Sequence, residues 1–203
     1  MCGDCDTQDD DSVFYSLPRL VYHQDHESIG RLTNLYAELL PECGDIADIM
    51  SSWTSHLPEQ AKYSRVVGIG MNRAELLSNP RLDEARVQDL NADPAIALPS
   101  AYADAVTIAS GMQYLTRPEE VLADVRRVLR DTDSKLVLSW TDNFFPSKAT
   151  RAWRERDAEV LPTPCSPSPG NYALRAVAGA VKVSCPRAVA CWASAAASRG
   201  RRV

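Results

Sequence analysis

Small and polar residues follow two short apolar runs in the first half of the chain, and their positions indicate a binding site. Residues 46–50 and 66–69 are apolar runs that lead into more polar segments, which is typical of buried parallel strands that feed loops and helices. In doubly wound sheets, ligands bind outside the carboxyl ends of such strands. The sequence therefore predicts one pocket, lined by Asp48, Ser51, Ser52, Gly70 and Asn72.

Two residue pairs have the spacing of metal ligands. Cys2 and Cys5 are separated by two residues, and so are His23 and His26. Neither pair is accompanied by further ligands at the distance typical of a metal site. We therefore expect no metal, and we expect the six cysteines to be free thiols in a reducing compartment.

Composition and charge limit the class of protein. The chain has 203 residues, 45% of them hydrophobic and 24% charged, which suits one globular domain. Its net charge of −5 gives no general attraction to nucleic acid or to an anionic membrane. No apolar run is long enough to span a bilayer, and the acidic amino terminus resembles neither a signal peptide nor a transit peptide. A soluble intracellular protein, cytoplasmic by default, is expected.

The apolar pattern divides the chain into three parts. Residues 1–18 are acidic and poor in apolar side chains, which predicts a disordered tail. Residues 19–160 alternate strand and helix patterns, which predicts an α/β domain with a mostly parallel sheet and helices on both faces. Residues 161–203 contain four prolines within eight positions and no sustained period. They predict a low-complexity, largely disordered tail, although a strand within 171–185 that covers the sheet edge is left open.

Within the central part, apolar runs and turn residues predict nine elements. The predicted strands are 46–50, 66–69, 85–88, 103–109 and 136–140, and the predicted helices are 25–40, 73–78, 116–130 and 148–156. The helix 116–130 has the clearest pattern, because Thr116 and Glu119 have capping-box spacing and the arginines lie near its end. We expect its apolar stripe, which includes Val121 and Val125, to pack on the sheet.

The order of these motifs resembles class I S-adenosylmethionine-dependent methyltransferases, specifically a methyltransferase-11-like group of cyanobacteria and plastid-bearing organisms. The resemblance covers residues 18–156, about two-thirds of the chain. It rests on six segments, residues 22–26, 48–58, 67–72, 82–91, 113–118 and 145–149. The most specific of them are the two that contain Ser51-Ser-Trp53 and Gly70-Met-Asn72. It implies a Rossmann-like sheet in the order 3-2-1-4-5, with S-adenosylmethionine as cofactor.

The resemblance also implies roles for individual residues. Asp48, Ser51 and Ser52, in the loop after the first strand, match the positions that hold the methionine portion of the cofactor. Gly70 stands where most members carry a ribose-binding acid, and Asn72 is a neutral hydrogen-bonding substitute. The remaining matches are Asp89, which accepts from the adenine amino group, Leu90 against the adenine ring, and Ser110 at the pocket wall.

The chain departs from this pattern in three places. Its cofactor loop has serines instead of glycines, the ribose acid is missing, and the tail replaces the reversed strand pair that follows the fifth strand. We therefore expect a core without the last strand pair. The resemblance allows a plastid location, but no transit peptide supports it. His23, Asp25 and His56 are all candidates for a base, and no catalytic residue is assigned. The methyl acceptor, a small molecule or an unknown partner, and the oligomeric state are not indicated.

Two other functions are compatible with the sequence. A non-catalytic methyltransferase-like binding module, or a truncated product, would explain the altered loop and the missing acid. An NAD(P)-binding oxidoreductase is suggested by Gly68-x-Gly70 after a strand, with Asp89 about twenty residues further on. Arg73 stands at the third glycine position of that fingerprint, which argues against it.

Overall fold

The computed structural model describes residues 10–141, 144–154 and 172–178, which form one six-stranded sheet with helices. The strands are β1 (Asp45–Ile49), β2 (Arg65–Gly70), β3 (Glu84–Val87), β4 (Ala105–Ala109), β5 (Lys135–Thr141) and β6 (Tyr172–Ala178). The helices are α1 (Asp11–Phe14), α2 (His26–Leu39), α3 (Arg73–Leu77), α4 (Pro118–Val128) and α5 (Arg151–Arg154), with a 3₁₀ turn at Met112–Tyr114.

The strand order is β3-β2-β1-β4-β5-β6. The first five strands are parallel, so the predicted order 3-2-1-4-5 and the Rossmann-like α/β class are confirmed. After β3, at one edge of the sheet, the chain returns to form β4 on the other side of β1. The strand order therefore reverses between β1 and β4, which pair with each other. Such a crossover opens a crevice at the carboxyl ends of the two strands, and this is where ligands bind in sheets of this kind.

Helices cover both faces of the sheet, because successive strand residues point to opposite sides. On one face, Ile49 and Ile108 belong to the same core cluster as Val121 and Val125 of α4. On the other face, Ile46 packs in the cluster that contains Leu32 and Tyr36 of α2. The apolar stripe of α4 therefore packs on the sheet as the sequence predicts, and β1 and β4 are buried on both sides.

The structure corrects the start of α4. The helix begins at Pro118, and its N-cap residue, Arg117, makes no side-chain capping bond. Proline suits this first position because its missing N–H would have no partner within the helix. Thr116 does not close a capping box; its hydroxyl and its N–H both donate to Oδ1 of Asn91, at 3.1 and 2.8 Å. Thr116 therefore fixes the loop after β3.

Parts of both predicted tails carry secondary structure, and the strand left open within 171–185 is present. The segment 10–18, assigned to a disordered tail, carries α1, and the Asp10 side chain caps this helix by accepting from the Ser12 N–H at 2.8 Å. In the second tail, β6 pairs antiparallel with β5 along its whole length, so the edge of β5 is covered. Residues 1–9, 155–171 and 179–203 lie outside the described residues.

No helix in the described part of the chain is long and apolar enough to cross a membrane.

Candidate functional site

A cavity of about 360 Å³ opens at the carboxyl ends of the parallel strands. All of the residues predicted for the site line it: Asp48, Ser51, Ser52, Gly70, Asn72, Asp89, Leu90 and Ser110. The size lies in the range of small-molecule sites. The sequence therefore predicts correctly that these residues meet in one place, and the role of each towards a ligand stays a prediction.

The loop after β1 is tied to the sheet through Asp48. Its carboxylate accepts hydrogen bonds from the hydroxyls of Ser51, at 2.6 Å, and Thr107, at 2.9 Å. Burial raises the Asp48 pKa above its ordinary value of 3.8, although the bonds from Ser51, Ser55 and Thr107 oppose this shift. Met50 turns the chain with a positive φ of 58°. The serine-containing loop is thus held by its own hydrogen bonds in the place where glycines were expected from the resemblance.

The two glycines of β2 are required by close packing. A Cβ atom on Gly70 would overlap the carbonyl oxygen of Ser51, and one on Gly68 would overlap the end of the Leu82 side chain. Both glycines lie within the strand and not in a turn after it. Their presence is therefore explained by how the loop after β1 and the segment before β3 pack against β2.

Asn72 and Glu75 share the space at the end of β2. Asn72 caps α3, since its Oδ1 accepts from the N–H groups of Ala74 and Glu75, and its Nδ2 donates to the Tyr15 carbonyl at 2.9 Å. The acidic group here is Glu75, a buried residue whose carboxylate accepts from the Ser52 hydroxyl at 2.6 Å. Sequence reasoning missed Glu75, although the Asn72-x-x-Glu75 spacing is that of a helix start.

The third and fourth strands contribute one wall each. Asp89 stabilises its own loop by accepting at Oδ1 from the Asn91 N–H at 2.8 Å, and Leu90 beside it is buried. After β4, Ser110 has a positive φ of 53°, and its Oγ accepts from Nε2 of Gln24 at 2.6 Å.

Residues 10–24, which we call the strap, contact the loops that follow all five parallel strands. Asp11 forms an ion pair with Lys148, whose side chain is only 1% exposed, and accepts a hydrogen bond from Asn91 at 2.8 Å. Four further hydrogen bonds join the strap to these loops. The Val21 and Tyr15 carbonyls of the strap accept from Trp53 Nε1 and from Asn72. The Arg19 N–H and the Gln24 side chain of the strap donate to Glu75 and to Ser110. The strap was missed because no periodic pattern marks it.

Two of the three base candidates line the cavity. His23 and His56 both have a lowered pKa because burial disfavours the charged imidazole, and the pKa of His56 falls to about 4. Both are therefore neutral near pH 7. Asp25 instead caps α2 by accepting from the Ser28 N–H at 2.9 Å, and it is not among the residues that line the cavity.

The candidate metal ligands do not come together in the described part of the chain. No group of three or more histidine, cysteine or acidic side chains there is arranged to hold a metal ion. Cys43 is an exposed free thiol, and the other cysteines lie outside the described residues.

Comparisons with known proteins support the fold. No family model and no curated protein matches the chain. Among solved structures, the PH0226 protein from Pyrococcus horikoshii OT3 aligns with a TM-score of 0.51 at 16% identity, over 64% of this chain and 66% of that one. A SAM-dependent methyltransferase from Aquifex aeolicus aligns with a TM-score of 0.44 at 16% identity, over 61% of this chain and 79% of that one. Another, from Archaeoglobus fulgidus, aligns with a TM-score of 0.46 at 17% identity, over 58% of this chain and 53% of that one.

These similarities are limited in identity and in extent. The chain spans about half the length of several matched structures, 52% of one and 51% of two others. At 16% identity, the similarity to the PH0226 protein shows the fold alone.

Proposed function

We propose that this protein binds S-adenosylmethionine in the cavity and transfers its methyl group to a small-molecule acceptor. The observation that carries the proposal is the meeting of all the sequence-predicted cofactor residues in one cavity at the β1–β4 crossover. The finer assignment, to the methyltransferase-11-like group of cyanobacteria and plastid-bearing organisms, rests on the residues of the motifs alone.

The charge of the cavity suits this cofactor. Four acidic residues line it, Asp11, Asp48, Glu75 and Asp89, against one arginine, Arg19. S-adenosylmethionine carries a positive sulfonium and an ammonium group. We assign the methionine portion to the loop of Asp48 and Ser51, the ribose hydroxyls to the Glu75 carboxylate, and the adenine ring to Leu90. Glu75 then takes the role that the sequence assigned to Asn72, whose polar atoms are used within the protein. The Glu75 oxygens each accept one bond, from the Arg19 N–H and the Ser52 hydroxyl, and a carboxylate has further lone pairs for a ribose hydroxyl.

The bound cofactor would supply an electrophilic methyl group that the acceptor attacks as sulfur leaves in neutral form. The chain's own part is to position the acceptor in line, which can supply much of the rate enhancement of such a displacement. A hydroxyl or amine acceptor must lose a proton, and the imidazole of His23 is the candidate base. His56 is a poor proton acceptor near pH 7, because burial lowers its pKa to about 4.

The oxidoreductase alternative is disfavoured by the position of the glycines. In a dinucleotide-binding motif, the glycines form the turn between a strand and a helix, where the pyrophosphate approaches the backbone. Gly68 and Gly70 lie inside β2 instead, and Leu82 and Ser51 fill the space beside them.

Calorimetric titration with S-adenosylmethionine, S-adenosylhomocysteine and NADP tests the proposal. We expect both S-adenosyl compounds to bind with micromolar dissociation constants and NADP not to bind. Glu75→Gln should weaken binding about tenfold, because a hydrogen bond to a charged group contributes about 1.5–3 kcal/mol, whereas the exposed control Glu59→Gln should leave it unchanged. Binding of NADP alone would refute the proposal. Binding without turnover on any acceptor would favour the non-catalytic module.

A further inference from the structure

One wall of the cavity is built from aromatic rings that surround Phe145. The ring centroid of Phe145 lies 6.2 Å from that of Tyr114, 5.4 Å from that of His23 and 5.3 Å from that of Phe14. Phe145, Tyr114 and His23 all line the cavity. A flat aromatic ligand at this wall can add edge-to-face or offset contacts of the same kind.

Two carboxamide oxygens lie in the cavity wall beside these rings. Oε1 of Gln24 and Oε1 of Gln113 are buried and have no hydrogen-bond partner among the residues that the structure describes. Gln113 is only 1% exposed. Each glutamine is next in sequence to a ring of the cluster, His23 or Tyr114. Because an unpaired buried acceptor costs stability, two of them at one cavity wall indicate a ligand that donates hydrogen bonds.

The orientation of both amides is supported by their nitrogen atoms. Nε2 of Gln24 donates to the Ser110 hydroxyl at 2.6 Å. The Gln113 side chain forms a hydrogen bond with the Tyr114 hydroxyl. Burial raises the Tyr114 pKa, and this hydrogen bond opposes that shift. In this arrangement the nitrogen atoms have partners in the protein and the oxygen atoms are left for a ligand.

The charges at this wall disfavour an anionic ligand. Arg19 lines the cavity, and its guanidinium lies 4.1 Å from the Phe14 ring centroid and 5.8 Å from that of Phe145. It also donates to the Phe14 carbonyl at 2.9 Å. Four acidic residues line the same cavity: Asp11, Asp48, Glu75 and Asp89. A carboxylate or phosphate on the ligand would therefore face more acidic than basic groups.

We infer that the methyl acceptor is a neutral aromatic ring that bears hydroxyl groups, stacked at Phe145 and held by donation to Gln24 and Gln113. This inference rests on the proposed function. In the reaction, the acceptor oxygen forms the new bond to the methyl carbon while the carbon–sulfur bond breaks and its electron pair stays on sulfur. The hydroxyl proton passes to the imidazole of His23, which belongs to the same ring cluster.

Three neutral probes test the inference by calorimetry on protein saturated with S-adenosylhomocysteine. Catechol has the ring and the donors, 1,2-dimethoxybenzene has the ring without donors, and cyclohexane-1,2-diol has donors without the aromatic ring. We expect catechol to bind at least tenfold more tightly than either of the others. Equal affinities for catechol and cyclohexanediol, or no binding of catechol, would overturn the inference.

Two variants assign the contacts. Gln113→Met keeps the length of the side chain but removes the acceptor, so it should weaken catechol binding about tenfold. A purely structural glutamine would instead lower the melting temperature and leave the affinity for catechol unchanged. Phe145→Leu should weaken catechol but not cyclohexanediol, and Gln60→Met, at an exposed position, is the control.

The two proposals fail in different ways. If S-adenosylhomocysteine binds and catechol does not, only the acceptor class is wrong. If S-adenosylhomocysteine does not bind, the proposed function is wrong and the inference falls with it. Unchanged catechol affinity in Gln113→Met would remove that residue from the site and overturn the inferred contact.

Discussion

Substituting Gly70 with alanine should damage both the fold and the site, because the new methyl group has no room. Its Cβ would overlap the Ser51 carbonyl oxygen and lie 3.2 Å from Cδ2 of Leu76. The obstacle is backbone, which cannot rotate away, and the Ser51 N–H is bonded to the Ile69 carbonyl at 2.8 Å. The loop after β1 must therefore shift as a unit.

The magnitude follows from the cost of overpacking, typically 1–3 kcal/mol. Since the clash is with backbone, we expect Gly70→Ala to lose about 3 kcal/mol, which lowers the melting temperature of a domain of this size by roughly 6–12 °C. The displaced loop carries Ser51, whose hydroxyl donates to Asp48 of β1, so the affinity for S-adenosylhomocysteine should fall at least tenfold. Urea denaturation and calorimetry measure the two effects.

Two other glycines provide matched controls for the same substitution. Gly30 lies within α2 with no atom near its Cβ position, so Gly30→Ala should raise stability by about 1 kcal/mol through helix propensity. A Cβ on Gly68 would meet only the flexible end of Leu82, and Gly68→Ala should cost about 1 kcal/mol. If Gly70→Ala were as stable as the wild type and bound S-adenosylhomocysteine normally, the packing argument would be refuted.

Three further predictions concern charged groups at the cavity. Burial raises the Asp48 pKa above 3.8 in the folded state, so the wild type should lose stability relative to Asp48→Asn as the pH rises from 3.8 through the raised value. Denaturation at several pH values checks this, and parallel pH curves would contradict it. Lys148→Met removes the ion pair with Asp11 and should increase the dissociation rate of S-adenosylhomocysteine at least fivefold in stopped-flow measurements, whereas exposed Lys62→Met should not. Asp89→Ala should weaken S-adenosylhomocysteine binding by about 1–3 kcal/mol, and an unchanged dissociation constant would remove Asp89 from the site.

The sheet and its binding edge could be predicted because the signals are local. Runs such as Val66-Val67 and Val106-Thr-Ile108 are apolar over several consecutive residues and become buried strands. Parallel pairing then places the residues after each strand at one edge. This reasoning needs no knowledge of side-chain contacts, and it brings Asp48, Asp89 and Ser110 to the same cavity.

Contacts between distant segments could not be predicted in the same way. Thr116 has capping-box spacing, but Asn91 from the loop after β3 provides a better partner for its hydroxyl and N–H. Glu75 is ordinary in sequence and becomes a cavity residue only because Ser52 and Arg19 approach it. The strap has a helix of only four residues, too short to show a period.

The strap has a consequence for the order in which the chain can fold during synthesis. It is made first, yet its hydrogen bonds reach partners that lie 32 to 86 residues further along the chain, as with Trp53 and Ser110. These contacts cannot form until the later loops have left the ribosome, and long-range contacts form late because of their loop-closure entropy. Nascent chains therefore expose apolar strap residues such as Leu17 and Leu20, which stay largely exposed even in the folded protein. Closure of the strap over the cavity is thus expected to follow assembly of the sheet.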